Sequence, residues 1–506
     1  MIYIILFFVL INLFPKIIIS LGLFQQNGYK VSKYIINLKN HYFKKVSSYL
    51  EYCSLLMLIF YLLNKEWHIG ILTLFFLIGS VMLMEPLIIF PKFTNRIKRL
   101  LMTSLIISLP FCLLIPVAIV LLIESILLPW IFILSSFINR PIEKQINKYY
   151  LKKAINKLQE NKPLIIGITG SFGKTSTKNF LYQLIKTNFY TYVTPKSYNT
   201  PMGICKGINE DMQEGIEAFI CELGATKQGD IKELVSFLDI DIGIITEIGA
   251  QHLESFKTIE NILQTKLEIL ESKKIKYLII NNDNDYLRKY QYPNNIEIIK
   301  VGINNPSTFE GRNIVLTNNG MSFDIYHLNQ FYMSVETCLV GRHNIYNILL
   351  SVACCNVLKI PKEEILKNIK KIKPVEHRLS IKKINNFQII DDAFNSNYVG
   401  FNNALEVLKL SQNKKILITP GLVDLGKETK PLNKKIGKQL TKGIDWIYLI
   451  KNEASRYIQD CFIEEKFTSY EMTSSFKEAL EKALKKYLEE TTILIENDLP
   501  DNYIRR

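Results

Sequence analysis

The sequence predicts an α/β protein in three parts: N-terminal transmembrane helices, a P-loop mainly parallel α/β domain, and a smaller Rossmann-like α/β C-terminal domain. Three observations carry this. Long apolar runs fill the first 140 residues, strand-like runs alternate with helical stretches from 164 to 302, and Gly167-Ile-Thr-Gly170-Ser171-Phe-Gly173-Lys174-Thr175-Ser176 sits between an apolar run and an amphipathic one. At 506 residues the chain has room for about three units of ordinary size.

The first part is expected to occupy residues 1–140. Residues 2–23, 69–90 and 100–123 are apolar runs, each long enough to cross a hydrocarbon core of about 30 Å. Residues 53–63 and 125–138 are shorter apolar runs, so four or five spans are expected. The first run has no basic residue before Lys16 and no small-residue cleavage site after it, which reads as an anchor and not a removable signal peptide. Lys30, Lys33, Lys39, Lys44 and Lys45 in one loop, and Lys92, Arg96, Lys98 and Arg99 in another, place both loops in the cytoplasm. Five crossings then give an outward N-terminus, a multi-pass protein of the inner (cytoplasmic) membrane, and everything from Arg140 onward inside. Much of the net charge of +15 lies beside these runs, where anionic lipid heads attract it. No helix-turn-helix or RNA-binding signature is present, so membrane lipid is an expected partner and nucleic acid is not. The eight cysteines follow no metal-ligand spacing and read as reduced, mostly buried thiols.

Residues 141–162 have helical spacing of Ile146, Tyr149, Tyr150, Ala154 and Leu158, which predicts a basic amphipathic linker. Residues 163–374 form the next expected domain. Strands are predicted at 164–168, 218–223, 240–246, 277–280 and 298–302, with helices between most of them, hence a parallel sheet covered on both faces. Runs at 311–316, 321–326 and 330–339, with an Asn318-Asn319-Gly320 turn, predict a small antiparallel ribbon on the sheet edge. Helices over 343–358 and 362–371 close the unit at Lys373-Pro374. Residues 375–506 form the last domain, with strands at 387–391, 415–419, 446–450 and 491–495 and helices around 399–409, 432–442 and 475–488.

The glycine string carries the chemistry. A strand that feeds a glycine turn and opens into a helix lets successive backbone N–H groups converge on a polyphosphate, with Lys174 reaching the outer phosphates and the Thr175 hydroxyl taking Mg²⁺. Ile168 replaces the first glycine of the common P-loop spacing, and glycines fall at 167, 170 and 173 instead. The competing reading is a glycine turn with a chance lysine. Glu222, at the end of an apolar strand, suits a Mg²⁺ ligand or a solvated strand-end charge.

The chain from about Pro163 to Gly426 resembles the Mur ligase family of ATP-dependent amide ligases. The resemblance is carried by the glycine string and by Asn199-Thr-Pro-Met-Gly203, Glu222-Leu-Gly-Ala225, Thr246-Glu-Ile-Gly-Ala-Gln-His252-Leu-Glu254, Lys266 with Glu268, Gly341-Arg-His343-Asn344 with Asn347, His377-Arg378-Leu379 and Asp391-Asp392-Ala-Phe-Asn395-Ser-Asn397, in that order. Within the family the strings look most like the members that add D-alanyl-D-alanine. The resemblance implies activation of a carboxylate by ATP as an acyl phosphate, two Mg²⁺ sites, and a carbamylated lysine at Lys266. It places Lys174, Lys266, His252 and Asn199 in catalysis and Thr175, Glu222, His252 and Lys266 around metal. ATP would lie against Gly170, Ser171, Gly173, Lys174, Thr175, Ser176, Asn344, Asn347, Arg378 and Asp392, with the two asparagines near the adenine, Arg378 on the γ-phosphate and Asp392 on the ribose. Read from the residues alone, Asn344 and Asn347 are helix caps, Lys266 a surface lysine, and Arg378 and Asp392 an ion pair. The implied partners are a muramoyl-peptide precursor and D-alanyl-D-alanine, with other cell-wall synthesis proteins besides. Two readings stand beside this one: a ligase acting on a lipid-linked or polymeric acceptor, and a membrane-bound nucleotide-binding module. Membrane helices stand where soluble members of the family carry a domain for the UDP-sugar end of their substrate.

Overall fold

The P-loop strand β1 (Leu164–Thr169) lies third from one edge of a nine-stranded sheet, flanked on both sides by parallel neighbours. The computed structural model describes residues 2–32, 34–35, 46–64, 66–82, 91–112, 117–195, 198–250, 253–394, 397–423, 425–487 and 489–497. The chain divides after Tyr149 into a helical unit and an α/β unit.

The helical unit contains α1 (Ile2–Gln26), α2 (Val46–Asn64), α3 (Trp67–Met82), α4 (Asn95–Cys112) and most of α5 (Val117–Asn161). Leu21 and Phe24 of α1, Ile97 and Leu100 of α4, and Leu128 and Phe132 of α5 form its core. Many other apolar side chains stay exposed, among them Phe7, Phe14, Phe60, Trp67, Phe75 and Leu105. The expected spans are revised in two ways. Among the described residues the helix stretch long and apolar enough to cross a membrane is Ile126–Asn161, whereas Leu13–Gln26, Cys53–Asn64 and Trp67–Phe76 are shorter apolar helices. The last short run and the basic linker are one continuous helix, α5, despite Pro129 and Pro141 inside it. The run expected at 100–123 is shared between α4 and α5, and residues 83–90 of another lie outside the described residues.

In the α/β unit, β2 (Thr191–Val193), β3 (Ala218–Glu222), β1, β4 (Ile242–Ile245), β5 (Tyr277–Asn281), β6 (Glu297–Gly302) and β7 (Phe309–Leu316) are parallel in that order. β8 (Met321–His327) adds antiparallel to β7, and β9 (Gln330–Thr337) antiparallel to β8. The central strands are buried nearly throughout, as a sheet covered on both faces requires. One face is covered by α6 (Lys174–Ile185), α12 (His343–Val357) and α13 (Lys362–Ile369). The other is covered by α7 (Pro201–Glu210), α8 (Asp230–Val235) and α10 (Ile259–Leu267), joined there by Ala154 and Leu158 of α5. A short helix, α9 (Leu253–Phe256), precedes α10, and α11 (Asp285–Lys289) follows β5.

A six-stranded sheet follows, in the order β10 (Ser380–Ile384), β11 (Phe387–Asp392), β15 (Thr491–Glu496), β12 (Lys414–Thr419), β13 (Trp446–Ile450) and β14 (Tyr470–Thr473). Only the β10–β11 pair is antiparallel. It is covered by α14 (Tyr398–Leu410), α15 (Thr429–Leu440) and α16 (Glu453–Glu464) on one face and α17 (Phe476–Lys486) on the other. Crossover connections in both sheets gather the loops at the C-terminal ends of the strands, where ligands bind in such folds.

Candidate active site

The loop after β1 needs glycine at two places. Gly170 has φ +143° and Gly173 φ +79°; a Cβ on the first would strike the Thr246 hydroxyl, and on the second it would lie 2.7 Å from the Asn347 Oδ1. The loop is pinned by bonds from Ser171 N to Glu247 O, at 2.6 Å, and between the Ser171 hydroxyl and the Gly249 backbone. Lys174 Nζ donates to Gly170 O at 2.7 Å and Ser171 O at 3.0 Å, which holds the ammonium over the loop. Burial, and the charge of Arg378, lower its pKa to about 8, against the opposing pull of Glu222. Ser176 is buried one residue beyond Thr175.

Glu222, 2% exposed at the end of β3, gathers the next group. Its carboxylate accepts from Thr175 Oγ1 at 2.9 Å and from Asn199 Nδ2 at 3.3 Å. Lys178 Nζ lies 3.7 Å away and donates to Thr194 O. Lys266, on α10 and also 2% exposed, is driven down to a pKa of about 7 by burial and by the charge of Lys174, with Asp230, Glu222 and Glu268 pulling the other way. A Lys amine that is substantially neutral near pH 7 is a nucleophile and not a surface charge. Glu268 is turned elsewhere: it accepts from Gly229 N and Lys232 N at the start of α8.

Arg378 enters from the second sheet. His377 and Leu379 on either side of it both have left-handed backbone, φ +58° and +51°. Such residues cost of order 1–3 kcal/mol each and persist where surrounding structure holds them. Leu379 is held by burial against Gly341, itself at φ +85°, and by a bond from its N–H to Asp392 Oδ1 at 3.0 Å. The Arg378 guanidinium stacks 4.2 Å above the Phe394 ring and feels both Asp392 and Glu222. Asp392 lies opposite Glu496 in the β11–β15 register. Burial keeps the Asp392 carboxyl well above the usual carboxylate range, against the pull of Arg378 and of hydrogen bonds from Leu379 N–H and Glu496.

Lys174, Thr175, Asn199, Glu222, Lys266, Arg378 and Asp392 are thus linked by contact or by field around the ends of β1, β3 and β11. His252, expected as a metal ligand, and Asn395 lie outside the described residues. Asn344 and Asn347 are both buried, and their carboxamides bond within the protein. Asn347 accepts from Thr177 Oγ1 and donates to Asn344 Oδ1, and Asn344 donates to Val340 O. They brace α12 against the P-loop helix, since a buried amide without partners would be costly. Arg378 and Asp392 are coupled by field, with the guanidinium stacked on Phe394. Three contributors had gone unnoticed. Lys178 had a signal, being one turn beyond Lys174 and Thr175 on one helix face. Glu247, which accepts from Asn281 and Asn284 and whose pKa is raised by burial, and Phe394 had none beyond their neighbours in the strings.

Oxygen donors suit Mg²⁺, and Thr175 Oγ1 beside Glu222 is such a pair. Among the described residues no three His, Cys, Asp or Glu side chains form a ready-made cage. Further oxygen ligands would come from phosphate and water, as is usual for this ion.

Fold and site together define a protein of two α/β sheets in which a glycine loop, buried lysines and an arginine from the second sheet converge. Residues 168–355 match the family model described as Mur ligase middle domain, and residues 377–496 the one described as Mur ligase, glutamate ligase domain. The chain belongs to the Mur ligase family. It is 29% identical over 282 residues to UDP-N-acetylmuramoyl-tripeptide--D-alanyl-D-alanine ligase of Buchnera aphidicola subsp. Baizongia pistaciae, covering 54% of this chain and 60% of the relative. The ligase of the same name from Rickettsia prowazekii is 28% identical over 315 residues, covering 61% and 70%. The chain spans about three-fifths of the length of the Buchnera relative and of the Bacillus subtilis one. The solved structure of MurF ligase from Thermotoga maritima in complex with ADP has a similar fold, with TM-score 0.63 at 23% identity, covering 70% of this chain and 80% of that one. MurF from Acinetobacter baumannii gives 0.61 at 20% identity, covering 70% and 77%.

Proposed function

We propose that the protein is an ATP-dependent amide ligase that joins D-alanyl-D-alanine to a UDP-N-acetylmuramoyl-tripeptide in peptidoglycan precursor synthesis. The observation that carries this is the convergence of Lys174, Thr175, Glu222, Lys266 and Arg378 in a chain whose curated relatives bear that name. A carboxylate oxygen of the acceptor attacks the γ-phosphorus of ATP and ADP leaves. The amine of the dipeptide then attacks the acyl carbon of the acyl phosphate, phosphate departs with the C–O electron pair, and the amine proton passes to solvent or base. Both steps concentrate negative charge, which fixed cations stabilise. Lys174 is held over the phosphate loop for this, and Arg378 brings a guanidinium from the other sheet. Thr175 and Glu222 would hold Mg²⁺, which supplies charge neutralisation on the phosphates, with Asn199 positioning the carboxylate. Lys266 and His252 would hold a second metal ion, and the lowered pKa of Lys266 supports its carbamylation, because CO₂ adds to the neutral amine. Asp392 serves the ribose.

In this reading the helical unit attaches the enzyme to the cytoplasmic membrane with the α/β unit on the cytoplasmic side. The exposed Phe, Trp and Leu side chains of α1 to α4 support attachment, since soluble proteins rarely expose such apolar surface. The same feature favours a second reading of the acceptor, as a lipid-linked muramoyl peptide.

The test is phosphate release by detergent-solubilised protein given ATP, Mg²⁺, D-alanyl-D-alanine and UDP-muramoyl-tripeptide, each omitted in turn, with the product identified by mass spectrometry. Release that needs all four, gives the pentapeptide, and falls about 10²–10³-fold in Lys174→Ala is expected. Release indifferent to the dipeptide would overturn the reading, and silence with the soluble acceptor but turnover with a lipid-linked one would select the second.

A further inference from the structure

The helical unit holds a cleft of about 320 Å³ between the end of α1, the start of α4 and the middle of α5. From α5 it is lined by residues 136, 139, 140, 143, 144 and 147. That spacing is one continuous helix face, and it is polar or charged at every position in a helix whose preceding turns are apolar. The floor is Phe24 and Leu100, both buried.

The cleft is built for an anion. Arg96, Arg140 and Lys144 line it against one carboxylate, Glu143. That carboxylate is already engaged by Arg99, with Nη2 at 2.7 Å and Nε at 2.8 Å, and lies 3.8 Å from Arg96. Arg96 is aimed by stacking 4.0 Å over the Tyr29 ring, and Tyr29 is set there by a turn in which Gly28 and Tyr29 both have left-handed backbone, φ +61° and +59°. A second observation is independent of charge. Asn139 lines the cleft, is 6% exposed, and has an Nδ2 with no hydrogen-bond partner, although its Oδ1 accepts from Thr103 at 3.0 Å. A buried amide donor left over in a cationic cleft calls for an acceptor oxygen.

We propose that this cleft binds the phosphate or diphosphate group of an anionic ligand, with Arg96, Arg140 and Lys144 neutralising it and Asn139 Nδ2 donating to one oxygen. Arginine's planar fork and lysine's point charge both suit phosphate oxygens. The phosphate belongs either to a lipid headgroup or to a soluble phosphate ester, and the experiment separates these sources. The volume matches a small-molecule site and exceeds what one phosphate fills, so a substituent on the phosphate is accommodated over Phe24 and Leu100. The site goes beyond the ligase reading and stands or falls without it.

Binding of full-length protein in neutral detergent would be measured by calorimetry with pyrophosphate and with UDP, and by co-sedimentation with phosphatidylglycerol and with phosphatidylcholine vesicles. In each arm the wild type is compared with Arg140→Gln/Lys144→Gln and with Asn139→Leu. Wild-type binding to either phosphate source, weakened at least tenfold in the double variant and reduced by raised salt, is expected. The same loss between parent and double variant is expected in a Lys174→Ala background, where the P-loop cation is gone. Circular dichroism in the same detergent checks that each variant is folded. Absence of binding in all arms, or binding equal in wild type and both variants, overturns the proposal.

Discussion

The two sheets of the α/β unit present carboxylates, Glu222 buried and Asp392 half-buried, at corresponding ends, and surround them oppositely. Glu222 on the first sheet has Thr175 and Asn199 donating to it, Lys178 at 3.7 Å, and the fields of Lys174 and Lys266. Asp392 on the second faces another carboxyl, Glu496, with Arg378 as its cationic neighbour. One end concentrates positive charge and the other negative charge. In the proposed ligase reading a polyphosphate would be stabilised at the first, and a hydroxyl-bearing group that donates hydrogen bonds would suit the second. The guanidinium of Arg378 belongs to both ends, since it feels Asp392 and Glu222 alike.

If that contrast is real, removing the carboxylate should have opposite consequences at the two ends. The largest effect is expected for Glu222→Ala. It strips a buried lysine, Lys178, of its counter-charge, and breaking a buried pair from one side costs about 3–5 kcal/mol. A drop of that size in unfolding free energy by urea titration is the expected outcome, together with loss of Mg²⁺-dependent ATP turnover. Adding Lys178→Met should recover part of the stability, because the orphaned charge is gone. A neutral Glu222→Ala would mean that the cations around it are held without it.

The pH dependence of stability separates the two ends next. Lys266 titrates near 7 in the folded protein and at 10.5 as an ordinary lysine. Between those values the unfolded chain binds the extra proton, so stability rises with pH from about 7 to 10.5. Asp392 has the reverse sign: its folded pKa lies above the ordinary 3.8, the folded protein holds the extra proton, and stability falls as pH rises from about 4 through its raised titration point. Unfolding midpoints across pH 4–10 should show both slopes. Lys266→Met should flatten the alkaline one and leave the acid one in place; if both survive it, the alkaline slope belongs to other groups such as Lys174.

The same contrast was unevenly legible in the sequence. The P-loop was readable because its strand, glycines, lysine and hydroxyl are contiguous, and glycine at 173 permits the left-handed backbone found there. The nine-stranded order was expected only in outline, and β2, β10 and β14 were missed. β2 has three residues, and β10, Ser380-Ile-Lys-Lys-Ile, lies at an edge with its outer residues exposed, so neither shows a buried-strand pattern. The continuity of α5 was hidden because its apolar and basic halves differ in composition while the backbone runs through. The partners of Asn344 and Asn347 were not legible for a physical reason: Asn347 is met by Thr177, 170 residues away in the chain. Charge neighbourhoods such as Asp392 with Glu496 arise from strand pairing, which no local pattern encodes.

The smallest effect is expected at Asp392 itself. Asp392→Asn keeps the shape and the acceptor oxygen for Leu379 N–H but removes a carboxylate that burial disfavours and that stands beside Glu496. At pH 7 the variant should be more stable than the parent by on the order of 1 kcal/mol. The gain should vanish toward pH 4, where the parent carboxyl is protonated as well. Arg378 loses a favourable neighbour in the exchange, and the hydrogen bond from Glu496 loses a charged acceptor, so the gain is smaller than relief of the desolvation cost alone would give. A stability gain joined to weaker ATP binding would show that the negative edge is maintained for its ligand at the expense of the fold. A loss of stability at pH 7 would show that Arg378 and the hydrogen bonds to Asp392 outweigh the desolvation of its carboxylate, and the two sheet ends would then differ in degree only.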